Sequence, residues 1–359
     1  MGSGYIRYRA VQNGFRCIRG HYETELRIIV VAALCGSGFG VICLLLGLPL
    51  PVLACFKLFE AIVAFYLIGH SLRWRLASTP DTIWRWVKEW RHGIAFGGIA
   101  VCALLFNKLN IYLLDYFSGS YALGLYAASW EIVDGLCIII SSTLLGKVMF
   151  PYLAGQLRQE KSSFLRTGQV AAQWLLLCGL TLSFALYSVG GQILPLIFGE
   201  NYTASTAILY AQIPCILSAF LYNLWFYILV CMNRYATLFV VYATALISNV
   251  ILCFALIPTH GPVGAALAIS GTKVFIAITL CTITLLSGLH KPSAKWLAAF
   301  ATVGASFVIH ALLSSFLPNV LAAFIGLLPL GFLGYRWFRQ EAGFGGKDLQ
   351  TNPCRAFYT

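Results

Sequence analysis

The sequence of 359 residues is 60% hydrophobic and only 10% charged, whereas charged residues make up about a quarter of a soluble protein. This composition excludes an ordinary soluble enzyme and predicts an all-α polytopic membrane protein. The net charge of +12 does not indicate nucleic-acid binding, because the basic residues lie between apolar runs instead of forming one polar face. We therefore expect no nucleic acid among its partners.

Cysteine is frequent, but the positions of the cysteines argue against metal sites and disulfide bonds. Ten of the twelve cysteines lie in apolar runs and no CxxC motif occurs. Metal sites and disulfide frameworks need paired or closely spaced cysteines, so these residues are interpreted as small apolar packing residues. We expect neither a metal nor a cofactor.

Residues 1–26 contain scattered arginines without an apolar run, which is not the pattern of a signal peptide. Apolar runs of about 20 residues, the length of a spanning helix, then follow one another. We predict about ten transmembrane helices, at 27–48, 52–72, 93–115, 121–146, 169–191, 206–230, 236–257, 263–288, 296–315 and 319–337.

Orientation follows from the basic residues. Every Lys and Arg outside the spans falls in segments on the same side as the N-terminus. Cytoplasmic loops carry this excess of positive charge. We therefore predict a multi-pass protein of the cytoplasmic (inner) membrane with both termini cytoplasmic.

The loop at 73–92 contains the run TIWRWVKEWR, whose apolar residues share one helical face while its charged residues lie elsewhere. Tryptophans beside cations are typical of a helix that lies in the lipid headgroup region. We predict an amphipathic linker helix here. A solvated connector is the alternative.

Charges within the spans carry the functional argument. The hairpin from Asn107 to Pro151 holds Lys108, Glu131 and Asp134 deep in apolar sequence, where ionisable groups are rare and serve transport or pair with one another. Antiparallel packing would bring Lys108 near one of the two acids, so a buried salt bridge and a cavity-lining role both stay open.

Lys273 has no acid one turn away in sequence and lies too deep to reach the interface. It is the best single candidate for a residue that faces an anion. Asparagines inside spans can face sugars or join helices by hydrogen bonds, and both interpretations stay open. With the three charges of the hairpin, the candidate substrate-binding residues are Lys108, Lys273, Asn107, Asn110, Glu131, Asp134, Asn223 and Asn249.

Three motifs, in order, carry a family resemblance: GLYAASWEI with FPYLA, ILPLIFGENYTAST, and ALIPTHGPVGAALA. They resemble the polysaccharide transport (O-antigen flippase, Wzx-type) family of the multidrug/oligosaccharidyl-lipid/polysaccharide exporter superfamily. The resemblance implies two six-helix bundles around a cavity. It also implies flipping of a polyprenyl-diphosphate-linked oligosaccharide by alternating access, within lipopolysaccharide or other surface polysaccharide biosynthesis.

The same resemblance implies membrane lipids and a polysaccharide polymerase complex as partners. One departure is that Asn110 stands where the family often has an acid, which puts ion coupling through this position in doubt. A drug/cation antiporter of the same superfamily remains an alternative, although it would favour acids over lysines. A membrane glycosyltransferase or polymerase is disfavoured because the outer turns are short, so we expect no enzyme.

An internal similarity relates 40–68 to 249–278, since both pass through a turn ending in Pro-Val at Pro51 and Pro262. Six spans separate them, the size of one bundle in the resembling family. We therefore expect the first four helices of a first bundle to be missing, so that the chain alone would insert but not restore export. The expected domains are a cytoplasmic segment (1–26), the last two helices of the first bundle (27–72), the linker (73–92), a six-helix second bundle (93–288), an extra helix pair (289–337) and a cytoplasmic tail (338–359).

Overall fold

A computed structural model describes residues 30–43, 45–47, 59–60, 62–63, 66–67, 82–289 and 293–351. Every element in this part of the chain is helical. The expectation of an all-α polytopic membrane protein is confirmed. The chain forms two compact units, Met1–Lys88 and Glu89–Thr359.

The first unit contains helix α1 (Val30–Cys43). Gly36 of α1 lies against the side chain of Glu60, and Phe39 stacks on Phe59 with ring centroids 5.0 Å apart. The second predicted span is thus represented by helical residues that pack on α1. Most of that span, and Pro51 of the proposed repeat, lie outside the described residues.

The second unit holds the remaining helices. They are α2 (Thr82–Ile138), continued by a π-helical segment (Ile139–Met149) into α3 (Phe150–Gln159), then α4 (Lys161–Phe198), a 3-10 turn (Glu200–Tyr202), α5 (Ser205–Cys231), α6 (Tyr235–Leu286), α7 (Ala294–Leu313) and α8 (Asn319–Thr351).

Helices α2 and α6 are each two spans joined at a glycine. Their lengths are 57 and 52 residues, far more than the ~20 that cross a bilayer. Gly119 (φ 77°) and Gly261 (φ 55°) interrupt them with backbone angles outside the helical range. Glycine adopts positive φ at no steric cost, so these positions reverse the chain. The membrane-spanning parts before and after each glycine are called α2a (94–118), α2b (120–138), α6a (235–260) and α6b (262–286).

Contacts across α6 show that its two segments run antiparallel. Asn249 Nδ2 donates to Thr272 Oγ1 over 3.0 Å. Gly271 lies beside Leu252, and Gly264 faces the backbone carbonyl of Leu256. In α2, Tyr126 of α2b correspondingly lies beside Asn110 of α2a. Each long helix is therefore a transmembrane hairpin.

With these hairpins divided, the second unit contains eight spans. They coincide with the eight spans predicted between 93 and 337. Two differences are local: the predicted span 121–146 runs into the π-helical segment, and α8 continues beyond 337 to Thr351.

Two apolar clusters hold this unit together. The larger one joins α2 through α6 and includes the fully buried side chains of Phe106, Tyr126 and Trp225. The smaller one packs α7 and α8 on α4 around Phe184 and Trp337. Helices α7 and α8, the predicted extra pair, therefore pack on α4 through the smaller cluster.

Candidate functional site

Lys273 lies inside the second unit. Its side chain is 2% exposed, and its Nζ lies 4.5 Å from the centroid of the Trp130 ring, which is itself buried. Twelve residues separate Lys273 from Gly261, which places it about 18 Å along α6b from the turn. A cation held over an indole face at this depth gains cation–π attraction where water is scarce.

A chain of buried polar side chains links the α2 hairpin to the α6 hairpin. The Cys253 thiol donates to Asn110 Oδ1 over 2.7 Å and lies 3.7 Å from Asn249 Oδ1. Asn249 bonds Thr272, whose hydroxyl donates to the Ala268 carbonyl over 2.8 Å. Asn110, Asn249 and Thr272 are fully buried, so these bonds replace contacts with water, and the buried Asn110 Nδ2 has no hydrogen-bond partner.

A second polar contact joins α5 to α6b. The Cys215 thiol and Ser270 hydroxyl lie 3.2 Å apart, and Ser270 Oγ donates to the Ala211 carbonyl over 2.6 Å. The two cysteines of these contacts, interpreted above as apolar packing residues, thus take part in hydrogen bonds. Polar residues do lie one helical turn away, at Gln212 and Ser218 for Cys215 and at Asn249 for Cys253, but the hydrogen-bond partners Ser270 and Asn110 lie on other helices.

Asp134 lies at the edge of this polar region. It is half-buried. Both Asp134 and Lys273 lie within electrostatic range of the thiols of Cys137 and Cys215. The fold therefore brings one predicted acid and the buried cation to the same part of the bundle.

Two other predicted residues serve their own helices. Asn107 Nδ2 donates to the Ala103 carbonyl, and Asn223 Nδ2 donates to the Ala219 carbonyl, each over 2.8 Å. These bonds run one turn back along the same helix. Asn107 also has a buried Oδ1 without a hydrogen-bond partner, so its amide keeps one free acceptor.

Lys108 and Glu131 are exposed on the surface of the α2 hairpin. They lie eleven and twelve residues from Gly119, which corresponds to about 16 and 18 Å along their helices. A lysine at the bilayer centre facing lipid costs about 2.5–3.5 kcal/mol. This cost disfavours a purely lipid-facing surface and favours a water-accessible one.

Among the described residues, no group of three or more His, Cys, Asp or Glu side chains has a metal-binding arrangement. The chemistry available is instead an exposed cation and an exposed acid in the two helices of the α2 hairpin, together with a buried cation on α6b. Trp130, Tyr126 and Thr272 are parts of this region that were not among the predicted site residues. Only Trp130 and Tyr126 had a signal, since both belong to the GLYAASWEI motif.

The profile of a family described as "Polysaccharide biosynthesis protein" matches residues 8–207, which is more than half of the 359 residues. The chain belongs to this family. No curated protein matches the sequence significantly.

Among solved structures, this family member is similar to "Lipid II flippase MurJ, inward closed conformation", with a TM-score of 0.62 and 13% sequence identity. The match covers 89% of this chain and 66% of that one, so the chain spans just under two thirds of the flippase's length. At this identity the likeness shows the fold alone. The expectation of a polysaccharide-biosynthesis family is confirmed by the profile match, and the structural likeness agrees with the expected fold.

Proposed function

We propose that this chain takes part in flipping a polyprenyl-diphosphate-linked oligosaccharide across the cytoplasmic membrane for surface polysaccharide synthesis, O-antigen among the candidate products. The observation that carries the proposal is the exposed Lys108 at mid-membrane depth on a MurJ-like fold. A diphosphate crossing the membrane needs a cation there, because an ionised phosphate in hydrocarbon is costly.

The two cations have different proposed roles. Lys108 is exposed and can contact the diphosphate directly, whereas Lys273 is covered by Trp130 and contributes positive potential from inside the bundle. Glu131 is exposed and can accept hydrogen bonds from sugar hydroxyls. Asn110 and Asn249 bond within the buried chain, so we assign them to helix pairing.

The test measures binding to the purified chain in lipid nanodiscs. We expect undecaprenyl diphosphate carrying a disaccharide to bind, and Lys108→Ala to weaken binding at least about tenfold, because a hydrogen bond to a charged group contributes about 1.5–3 kcal/mol. Lys161→Ala, which removes an exposed lysine at the start of α4, is the matched control and should bind as the wild type does.

The same assay separates the alternative. A drug/cation antiporter would bind tetraphenylphosphonium in preference to the lipid diphosphate. Binding of the phosphonium cation alone, unaffected by Lys108→Ala, would refute the flippase proposal.

Sidedness is part of the proposal. We place both termini in the cytoplasm and expect a polysaccharide polymerase complex as a neighbour. Cys17 and Cys354 should then resist a membrane-impermeant thiol reagent added outside intact cells. Rapid labelling of either cysteine from outside would reverse the orientation.

A further inference from the structure

One face of α2a carries aromatic side chains in line with Lys108. Tyr112 and Tyr116 follow Lys108 at intervals of four residues, so all three lie within one stripe of the helix. Tyr112 is 71% exposed and Tyr116 is 82% exposed. The buried residues Phe106, Asn110 and Leu114 occupy the opposite face. The tyrosines therefore point away from the bundle core.

The depth of this stripe in the membrane indicates whether its tyrosines belong to an interfacial belt or to a water-accessible surface. Tyr116 lies close to the Gly119 turn, where tyrosine is common at a membrane interface. Tyr112 lies about 10 Å below that turn and Lys108 about 16 Å below it. An interfacial belt accounts for Tyr116 but not for a tyrosine one turn above an exposed mid-membrane lysine. The same surface that solvates Lys108 must then also solvate Tyr112.

Tyr116 is held from one side. Its ring meets the edge of Phe117 at a centroid distance of 5.1 Å, and Phe117 in turn meets Phe254 of α6a at 6.1 Å. The outer face of Tyr116 stays open. A supported ring with one free face is suited to stacking, because little side-chain freedom remains to be lost when a ligand binds.

We propose that Tyr112 and Tyr116 form a stacking surface for the sugar rings of the lipid-linked oligosaccharide whose diphosphate lies at Lys108; this rests on the proposed function. One face of a pyranose ring presents C–H groups, and the negative face of an aromatic ring attracts them. The tyrosine hydroxyls can bond sugar hydroxyls at the ring edge. Successive rings lie about 6 Å apart along the helix, so the glycan runs from Lys108 toward the Gly119 turn.

An acid at one end of the stripe fits the same ligand. Asp115 is exposed next to Tyr116 and accepts a hydrogen bond from Ser120 over 3.1 Å. Its second carboxylate oxygen can accept from a sugar hydroxyl. With the diphosphate at Lys108, the sugars beside the tyrosines lie within reach of Asp115.

The experiment compares two probes on the purified chain in nanodiscs: undecaprenyl diphosphate, and the same lipid carrying a disaccharide of N-acetylglucosamine. We expect the wild type to bind the glycosylated probe more tightly. Tyr112→Ala with Tyr116→Ala should remove about tenfold of that affinity and leave binding of the bare diphosphate unchanged. Tyr112→Phe with Tyr116→Phe keeps the rings and should retain most of the affinity.

The matched control is Tyr152→Ala with Tyr335→Ala, which removes two tyrosines that are 55% and 57% exposed on α3 and α8. It should bind both probes normally. If both probes bind the wild type equally, the proposed function survives and the stacking surface is refuted. If the α2a double-alanine variant binds both probes as the wild type does, the tyrosines face lipid. If neither probe binds the wild type, the proposed function itself fails.

Discussion

The α2 and α6 hairpins share the same turn geometry but differ in the exposure of the lysine that each contains. Each reverses at a glycine with positive φ, and each has a lysine eleven or twelve residues from that glycine. In α2, Lys108 is exposed beside the tyrosine stripe, whereas in α6, Lys273 is 2% exposed beneath Trp130. Two lysines at similar distances from their turns can thus differ in exposure. The face of the helix on which the lysine lies determines whether it is exposed or buried.

The largest expected effect breaks the tight packing of α6. A Cβ atom at Gly264 would overlap the Leu256 carbonyl oxygen, whereas one at Gly124 of α2b would meet nothing within 4 Å. Gly264→Ala should therefore force the two spans of α6 apart and lower the free energy of unfolding by about 3 kcal/mol. Thermal unfolding of the purified protein in detergent measures this loss.

Gly124→Ala is the matched control in the other hairpin and should unfold at the wild-type temperature. Equal effects of the two substitutions would show that α2 is packed as tightly as α6.

The next prediction concerns the buried cation. Lys273→Met removes a charge whose desolvation penalty is several kcal/mol, and it loses a cation–π contact that contributes about 2 kcal/mol. We expect a net stabilisation of about 1–2 kcal/mol together with weaker binding of the glycosylated undecaprenyl diphosphate. Lys108→Met, on the exposed face, should change stability by less than about 0.5 kcal/mol.

Thermal unfolding and the nanodisc binding assay report the two properties of Lys273→Met separately. A lower unfolding temperature for this variant would show that Trp130 and its surroundings more than compensate the buried charge. Wild-type binding of the glycosylated lipid by the variant would show that Lys273 contributes nothing to holding the substrate.

The smallest effect tests the polar chain between spans. Asn249→Ala removes the hydrogen bond to Thr272 and should destabilise the protein by about 1 kcal/mol. Asn223→Ala removes a bond to a carbonyl of its own helix and none to another helix segment that the structure describes, so it should cost less than half as much. The same unfolding assay compares the stability losses of the two variants. A larger loss for Asn223→Ala than for Asn249→Ala would mean that the Asn249 bond contributes little to pairing α6a with α6b.

Span positions in the second unit were predictable because about 20 apolar residues between loops have a strong signal. The chain reversals at Gly119 and Gly261 also fell between predicted spans. The π-helical segment was not predictable, since its residues, IISSTLLGKVM, suit an α-helix equally well. Its cause is not evident from local sequence.

The site was less predictable than the fold for a physical reason. Helices within a membrane are apolar on all sides, so no hydrophobic face indicates which residues turn inward. Both Lys108 and Lys273 lie in apolar runs, and the sequence did not reveal that Lys108 is exposed while Trp130 covers Lys273. The sequence likewise showed Asn249 as a polar residue in a span without revealing that Thr272 faces it.

The reversal at Gly119 also bears on how this polypeptide enters the membrane during synthesis. As a lone segment, α2a would expose Lys108 to hydrocarbon, at a cost of about 2.5–3.5 kcal/mol near the bilayer centre. Gly119, with its positive φ, turns the chain after α2a, so α2b follows immediately and packs beside Asn110. We therefore expect α2a and α2b to enter the bilayer together, as a hairpin in which Asn110 is covered and Lys108 stays exposed.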